Sequence, residues 1–528
     1  MFIEREHLAD AAATQWHTIV IGAGPVGLVL AVSLARAGKQ VLVLESGGKD
    51  PGDAKDLNDA VLTGRPHAGA LHGRARTIGG TSTLWGGQLT RFVPYDFETR
   101  PFMTECRWPL RFEDVAPYYV EVAEMLGLDA RYLDDDSVLK YLHSPVGGSA
   151  AGCEMFFTRW LREAHLGRYF AKELAGHELL GVVPECHARQ ILGVSGSAEV
   201  RGVKAISARG EELVFQAKNV VLACGTIEIS RLLLLSAYRD AGVPWAANDN
   251  IGRYFQDHLD LTIGQIELKD RKSFANLFEN AVIDGHKYQP KVRMKGQVLR
   301  SLECLNLACT VRFDSAIAED IQMLKQMIKS LLTGSRVNKP WQSLKRMAAL
   351  SHVWFPLMWR YLRHRRILAL ADRGISVIAH CEQRPVRDSR VSLDGVKTDK
   401  FGDPLARLHW VVDEALQLKS LKLFMSQLQE FFRTQCAAEF KPEQGLQSGD
   451  PAALAAASDS YHQCGGTCMA DSAAQGVVDQ DCRVFGTSNL YVAGAAVFPT
   501  SSFANPSFTA MALARRLGRR LLRAEGNA

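Results

Sequence analysis

Between His17 and Glu45 the chain carries a complete βαβ unit with a glycine-rich first turn, and no other stretch restricts its fold so strongly. His17-Thr18-Ile19-Val20-Ile21 reads as a buried strand rich in β-branched residues. It runs into Gly22-Ala23-Gly24-Pro25-Val26-Gly27. Leu28 to Ala37 then follows a helical pattern that stops at Gly38, and Gln40-Val41-Leu42-Val43-Leu44-Glu45 is the next strand. Gly22 permits the tight turn, Gly24 lets the backbone approach a pyrophosphate, and Gly27 lets helix and strand pack closely. The helix N-terminus offers free N–H groups and the positive end of its dipole to phosphates. Glu45 ends the second strand 21 residues beyond Gly24, placed to accept ribose hydroxyls. The unit predicts a Rossmann-like sheet that binds a dinucleotide; the fingerprint alone fits NAD and FAD equally.

With 528 residues the chain exceeds the ~250–300 at which a single core stops growing, so two or more domains are expected. A hydrophobic share of 47% with 23% charge is that of ordinary globular proteins. Met1-Phe2-Ile3-Glu4-Arg5-Glu6-His7 lacks the basic start and apolar core of a secretory signal. The apolar runs are too short or too interrupted for a membrane span of ~20 residues. A cytoplasmic location is expected, peripheral to the membrane if the basic segment described below meets lipid. The eleven cysteines are too sparse and irregular for a disulfide framework. Cys464 and Cys468 have no second ligand pair, so they are expected to pack, and no metal is expected.

Four further segments recur in a telling order. Arg76-Thr77-Ile78-Gly79-Gly80-Thr81-Ser82-Thr83-Leu84-Trp85-Gly86-Gly87 is a second glycine-rich loop whose small residues let the backbone lie against a phosphate or a flat ring. Asn219 to Leu233 reads as a buried strand, a Cys224-Gly225-Thr226 turn and a helix with a leucine stripe. Asn250-Ile251-Gly252-Arg253-Tyr254-Phe255-Gln256-Asp257-His258 follows, with His258 read as structural. Asn489-Leu490-Tyr491-Val492-Ala493-Gly494-Ala495-Ala496-Val497-Phe498-Pro499 is a late buried strand.

Together with the N-terminal unit, these segments resemble the glucose–methanol–choline (GMC) oxidoreductase family. Trp108-Pro109-Leu110 and Pro117-Tyr118-Tyr119 are similar to its sugar-oxidising branch, which includes pyranose oxidase and the fructose dehydrogenase flavin subunit, although such aromatics equally suit a core. The resemblance implies an α/β (α+β) fold: a Rossmann-like FAD-binding domain and a substrate domain built on an antiparallel sheet that covers the flavin. Residues 1–105, 176–264 and 456–528 are then expected to form the FAD-binding domain, and 106–175 and 265–455 the substrate side. The implied cofactor contacts are Gly22, Gly24, Gly27 and Glu45; Gly79, Gly80, Thr81, Ser82, Trp85 and Gly86; Gly225; Gly494 and Ala495; and Pro506 and Thr509. Two departures stand out. Leu84 occupies the place where some members attach FAD through a histidine, so non-covalent FAD is expected. Gly494 stands where many members carry an acid.

Oxidising an alcohol removes a hydroxyl proton and a carbon-bound hydride; flavin N5 takes the hydride. The protein must supply a base within ~3 Å of the hydroxyl and a group that orients it. By resemblance, the base is His462 in Tyr461-His462-Gln463-Cys464-Gly465-Gly466-Thr467-Cys468-Met469. The second group is Asn505 in Phe503-Ala504-Asn505-Pro506-Ser507-Phe508-Thr509. Histidine suits the first role because its unperturbed pKa of ~6.5 lies near working pH. Asparagine suits the second, with a donor and an acceptor that do not compete for the proton. Pro506 biases Asn505 toward an extended backbone, and Ser507 to Arg520 reads as an amphipathic helix whose N-terminus faces the flavin.

From Ile321 to Ala371 there are ten Lys or Arg and no Asp or Glu, although the whole protein is only +5. Trp341, Trp354, Phe355, Trp359 and Tyr361 are interleaved. Such a segment suits an anionic lipid surface, a lid over the site or a subunit interface. No nucleic-acid module accompanies it, so no nucleic-acid partner is expected. The expected function is FAD-dependent oxidation of a CH–OH group, of a sugar or glycoside, with oxygen, a quinone or a redox protein as electron acceptor. The alternatives are a membrane-surface dehydrogenase of a lipophilic alcohol, and a flavin-binding protein or lyase without net redox turnover.

Overall fold

The computed structural model describes residues 1–49, 54–142, 149–150, 152–194, 196–316 and 351–523. Among these, the strands form sheets of seven, ten and three strands. The fingerprint strand, Gln15–Ile21, is central to the first. Every residue from His17 to Ile21 is buried, and this is why Ile19-Val20-Ile21 reads as apolar without alternation. Val41–Leu44 pairs with it on one side and Glu212–Leu222 on the other, both parallel. Leu180–Val183 extends the sheet beyond Val41–Leu44. On the far side, Glu212–Leu222 pairs with Val200–Ser207 through its first half and with Leu490–Val492 through its last three residues. Segments from residue 15 to residue 492 therefore build one sheet.

Two long helices lie together on one face of it, Pro25–Arg36 and Pro506–Arg523. The first begins three residues before the expected Leu28. Pro25 at the first helical position needs no N–H partner and has a helical φ already set, so the helix starts directly from the glycine turn. Gly27 sits where this helix crosses the turn: a Cβ there would stand 2.1 Å from the Gly22 carbonyl oxygen.

The ten-stranded sheet is antiparallel. Its order runs Ala438–Pro442, Leu259–Leu268, Ile375–Cys381, Leu307–Phe313, His286–Met294, Cys153–Trp160 and Gln88–Leu89, with short strands added at three places. One face is apolar and packs on the 22-residue helix Glu414–Gln435 through Leu421, Phe424, Leu428, Phe431 and Phe432. Period-2 alternation turns the opposite face, which carries Phe156, Lys291, Thr310, His380 and Asp260, toward the nucleotide-binding domain. Phe156 meets Phe503 there, with ring centroids 5.4 Å apart.

Sheet membership departs from the sequence boundaries. Leu259–Leu268 already belongs to the antiparallel sheet ahead of residue 265. Gln88–Leu89 belongs to it, and Ala60–Gly64 pairs with Pro404–Trp410 in the three-stranded sheet, so 1–105 contributes to all three. Within 106–175, the helix Phe112–Met125 packs on Pro506–Arg523 in the nucleotide-binding core. Strands of two to five residues carry too little pattern to reveal which sheet they join. Trp108 is a core residue, packed on Phe92, Phe97 and Phe498.

Of the basic stretch, residues 321–350 lie outside the described residues. The helix Ser351–His364 follows, and part of the charge turns inward: Arg360 Nε donates to Glu279 Oε2 at 2.8 Å, and Arg366 to the Glu279 carbonyl at 2.9 Å. Met358, Trp359 and Leu362 are exposed on the same helix. No described helix is long and apolar enough to cross a membrane.

Gly27→Ala forces a methyl group against backbone, so it should lower stability by about 1–3 kcal/mol, the usual cost of overpacking. Urea unfolding reads this; an unchanged midpoint would show that the helix and turn are not in close contact.

Candidate active site

At the carboxyl ends of the parallel strands the fingerprint turn opens into a cleft whose empty volume, open solvent included, is about 1280 Å³. Gly22, Gly24, Glu45, Gly80, Thr81, Gly225, Gly494, Ala495 and Pro506 line it. No atom lies within 4 Å of where a Cβ on Gly24 or Gly225 would stand, so both backbones face open space. A Cβ on Gly80 would meet Gly24 Cα at 2.7 Å; the two glycine-rich loops touch through their backbones. This bare-backbone cradle at a helix N-terminus fits the pyrophosphate of FAD. Glu45 is buried, and its carboxylate accepts the Ala23 N–H at 2.8 Å and the Gly47 N–H at 2.9 Å. Burial nonetheless raises its pKa.

The remaining residues expected at the cofactor stand behind this lining. Gly27 supports the turn, as described. Gly79 has φ +101 and donates its N–H to the Ala23 carbonyl at 2.8 Å, joining the two loops. Ser82 Oγ donates to the Gly79 carbonyl at 2.5 Å and accepts from the Leu166 N–H at 2.9 Å. Trp85 Nε1 donates to the Ala164 carbonyl at 2.7 Å, and a Cβ on Gly86 would lie 2.3 Å from the Trp160 ring. Thr509 Oγ1 is 2.7 Å from the Tyr119 hydroxyl, inside the core. These six shape the loops that the lining residues sit on.

His462 and Asn505 meet: His462 Nε2 lies 3.0 Å from Asn505 Nδ2. Backbone pairing sets this up. Gln256 and Cys464 exchange N–H···O bonds at 2.9 and 2.8 Å, which brings His258 alongside His462. His258 Nδ1 is 3.0 Å from His462 Nδ1, and His258 Nε2 is 3.2 Å from the Ser501 carbonyl oxygen. A carbonyl only accepts, so His258 carries its proton on Nε2 and leaves Nδ1 as an acceptor. His462 must then donate from Nδ1, which leaves Nε2 bare. The Asn505 amide donates toward that bare nitrogen, while its Oδ1 accepts from Thr90 Oγ1 at 3.1 Å. The chain Ser501–His258–His462–Asn505–Thr90 thus fixes both tautomers and the amide orientation. His258, read from sequence as structural, is what aims His462.

Asp257 lies beneath the pair. Its Oδ1 accepts from the backbone N–H of His258 at 2.7 Å and of His462 at 2.9 Å. Its Oδ2 is 3.1 Å from His67 Nε2. Burial works against its charge, but His67, His462 and His258 outweigh that and hold the carboxyl below its usual range. Burial, assisted by His258, pushes His462 down to about 3, so its ring is neutral at ordinary pH. His67, Asp257 and Asp459 bring ligand atoms within 4.8 Å of one another. Backbone N–H groups already engage Asp459 (Ala68 and Gly69, at 2.9 and 2.7 Å) and His67 Nδ1 (Ala70, at 3.0 Å). The Cys464 and Cys468 thiols donate to the carbonyls of His462 and Phe498.

Sequence reasoning missed the charged wall of the cavity. Arg74 and Arg76 lie 2.7 and 3.0 Å from one Glu228 oxygen, and all three line the cavity. Burial opposes the charge on Glu228, yet Arg76, Arg231 and Arg74 hold it far below the carboxylate range. Glu45, on the same lining, is the second carboxylate facing these two arginines. In the sequence, Arg74 and Arg76 look like any solvated basic pair.

Two family models match the chain: "FAD dependent oxidoreductase" over residues 17–239 and "GMC oxidoreductase" over residues 385–514. The 2-methyl-1,2-propanediol dehydrogenase of Mycolicibacterium austroafricanum is 23% identical over 96% of this chain and 95% of that protein. Paromamine 6'-oxidase of Streptomyces fradiae is 29% identical, but over only 21% of this chain and 23% of its own length. A formate oxidase structure from Aspergillus oryzae covers 97% of this chain and 99% of its own at 15% identity, with a TM-score of 0.57, and so shares the fold. The first family model falls on the fingerprint, Glu45 and Gly225, and the second on His462, Gly494 and Asn505; the chain belongs to the GMC oxidoreductase family of FAD-dependent enzymes.

Proposed function

We propose that the protein oxidises a CH–OH group of a small polar alcohol, sugar or glycoside, with His462 as the base and Asn505 as the orienting group. The observation that carries this reading is the bare Nε2 of His462, 3.0 Å from a donating amide and fixed in that state by His258. Bound FAD supplies the hydride acceptor. On binding, the substrate hydroxyl replaces the direct Nε2···Nδ2 hydrogen bond with one through its own oxygen: it donates its proton to His462 and accepts from Asn505 Nδ2. Once protonated, His462 carries a positive charge, and the Asp257 carboxylate below stabilises it. Thr90 keeps the Asn505 carbonyl oxygen turned away from the hydroxyl. Leu84 is 55% exposed and offers no nucleophile, which supports non-covalent FAD.

His462→Ala should retain FAD and slow anaerobic flavin reduction by an alcohol ~10²–10⁴-fold, the scale of a lost acid–base group. Reduction at near-native rate in that variant would remove His462 from the reaction.

The pH dependence follows from the direction of the shift. Folding lowers the His462 pKa from 6.5 to about 3, so the neutral base persists as the solution is acidified through 6.5 and is lost only near the lower value. The flavin-reduction rate should therefore show no acid limb near 6.5. A limb centred there would mean that the ring titrates as an ordinary imidazole.

Denaturing the purified protein in acid should leave a colourless pellet and all the flavin in the supernatant. Flavin colour retained by the pellet would overturn the non-covalent assignment.

A further inference from the structure

The sheet face opposite the His462–Asn505 pair is polar, and this deepens the proposed reaction by specifying its substrate. On Leu259–Leu268, Ile375–Cys381 and Leu307–Phe313, the register sets Asp260 opposite His380 and His380 opposite Ala308, so Asp260, His380 and Thr310 share one face. Lys291, on the next strand, reaches the same group: its Nζ lies 3.1 Å from His380 Nε2. His380 Nδ1 is 2.9 Å from Asp260 Oδ1 and must donate there, so its Nε2 is an acceptor, shared by Lys291 and by Thr310 Oγ1 at 2.7 Å. Asp260 lies two residues beyond His258, whose ring is 3.0 Å from that of His462, and pairs with Ser458 just ahead of His462, so this wall adjoins the base.

Lys291 is the unusual member. It is 7% exposed, and among the described residues no carboxylate forms an ion pair with it. Burial lowers its pKa to about 8, with Asp260 opposing, so it keeps its proton at neutral pH. An ammonium has three donors, and the imidazole of His380 uses one. The Asp260 and His380 side chains remain 29% and 19% exposed beside it, so the wall borders open space, not packed core.

We propose that Lys291 is a specificity-determining residue, donating to a second oxygen on a hydroxyl-rich substrate whose first hydroxyl faces His462. Polyols, sugars and glycosides supply such an oxygen. A lipophilic mono-alcohol leaves a buried ammonium with unmet donors, and a site built to hydrogen-bond a substrate group rejects the analogue that lacks it. This inference rests on the alcohol-oxidation reading and assigns the opposite wall of that site.

The test is anaerobic flavin reduction by a panel of sugars, glycosides and 1,2-diols against primary alcohols of equal carbon number, with wild type and Lys291→Met. Wild type is expected to favour the hydroxyl-rich class. Lys291→Met should lower kcat/KM for that class about 10–100-fold, mainly through KM, and leave mono-alcohols within about 3-fold, as for a lost charge-assisted hydrogen bond to the substrate alone. Should Lys291→Met not retain FAD, Lys291→Gln keeps a neutral donor and should show the same selective loss, about 3–10-fold. An equal loss on both classes, no loss, or a wild-type preference for mono-alcohols overturns the role of Lys291 and leaves the oxidation reading standing. Failure of every alcohol to bleach the wild-type flavin overturns the oxidation reading itself, and this inference with it.

Discussion

The hydrogen bond between the His258 and His462 rings is the contact on which the site depends. An imidazole alone presents a proton on either nitrogen, and only one of the two tautomers can act as a base toward a given point. Here the choice is made two groups away, by the Ser501 carbonyl, which cannot donate and so forces each ring in turn. The same contact adds to the burial that keeps His462 neutral. An imidazole held neutral and in one tautomer needs no change of tautomer before it takes a proton on Nε2.

The fold delivers this line of groups from segments far apart in sequence. His258 follows the Gln256–Cys464 backbone bridge, His462 precedes it, and Ser501 and Asn505 flank the entry to the helix Pro506–Arg523. Asp257 bonds the backbone N–H of both histidines, so one buried carboxylate sets their spacing. The parallel strands of the first sheet fix the dinucleotide cradle, and Leu490–Val492, in register with Val220–Leu222, brings the late segment of the chain beside it. The antiparallel sheet carries Asp260, His380 and Lys291 on the same face as Phe156, which meets Phe503. Its apolar face rests on the helix Glu414–Gln435, so the polar face is supported without being covered.

What the sequence reveals depends on how local the determining physics is. Gly22, Gly24 and Gly27 with Glu45 are legible because a tight turn, a close approach and a strand end each demand a residue type at fixed spacing. His462 and Asn505 are legible through resemblance, each beside glycines or a proline. His258 is not: a lone histidine reads as structural, and only its neighbour in space, 204 residues away in sequence, makes it a relay. Arg74, Arg76 and Glu228 fail to show for the same reason. Lys291 and His380 are hidden by register, since which face a strand residue takes is decided by pairing across the sheet. The strands Ala60–Gly64 and Gln88–Leu89 are too short to declare their sheet.

Neutron diffraction from crystals of the flavin-loaded, oxidised protein would locate the proton on His462 directly. The hydrogen-bond chain from Ser501 places it on Nδ1, pointing at His258, with Nε2 bare toward Asn505. A proton on Nε2, or on both nitrogens at neutral pH, would contradict it.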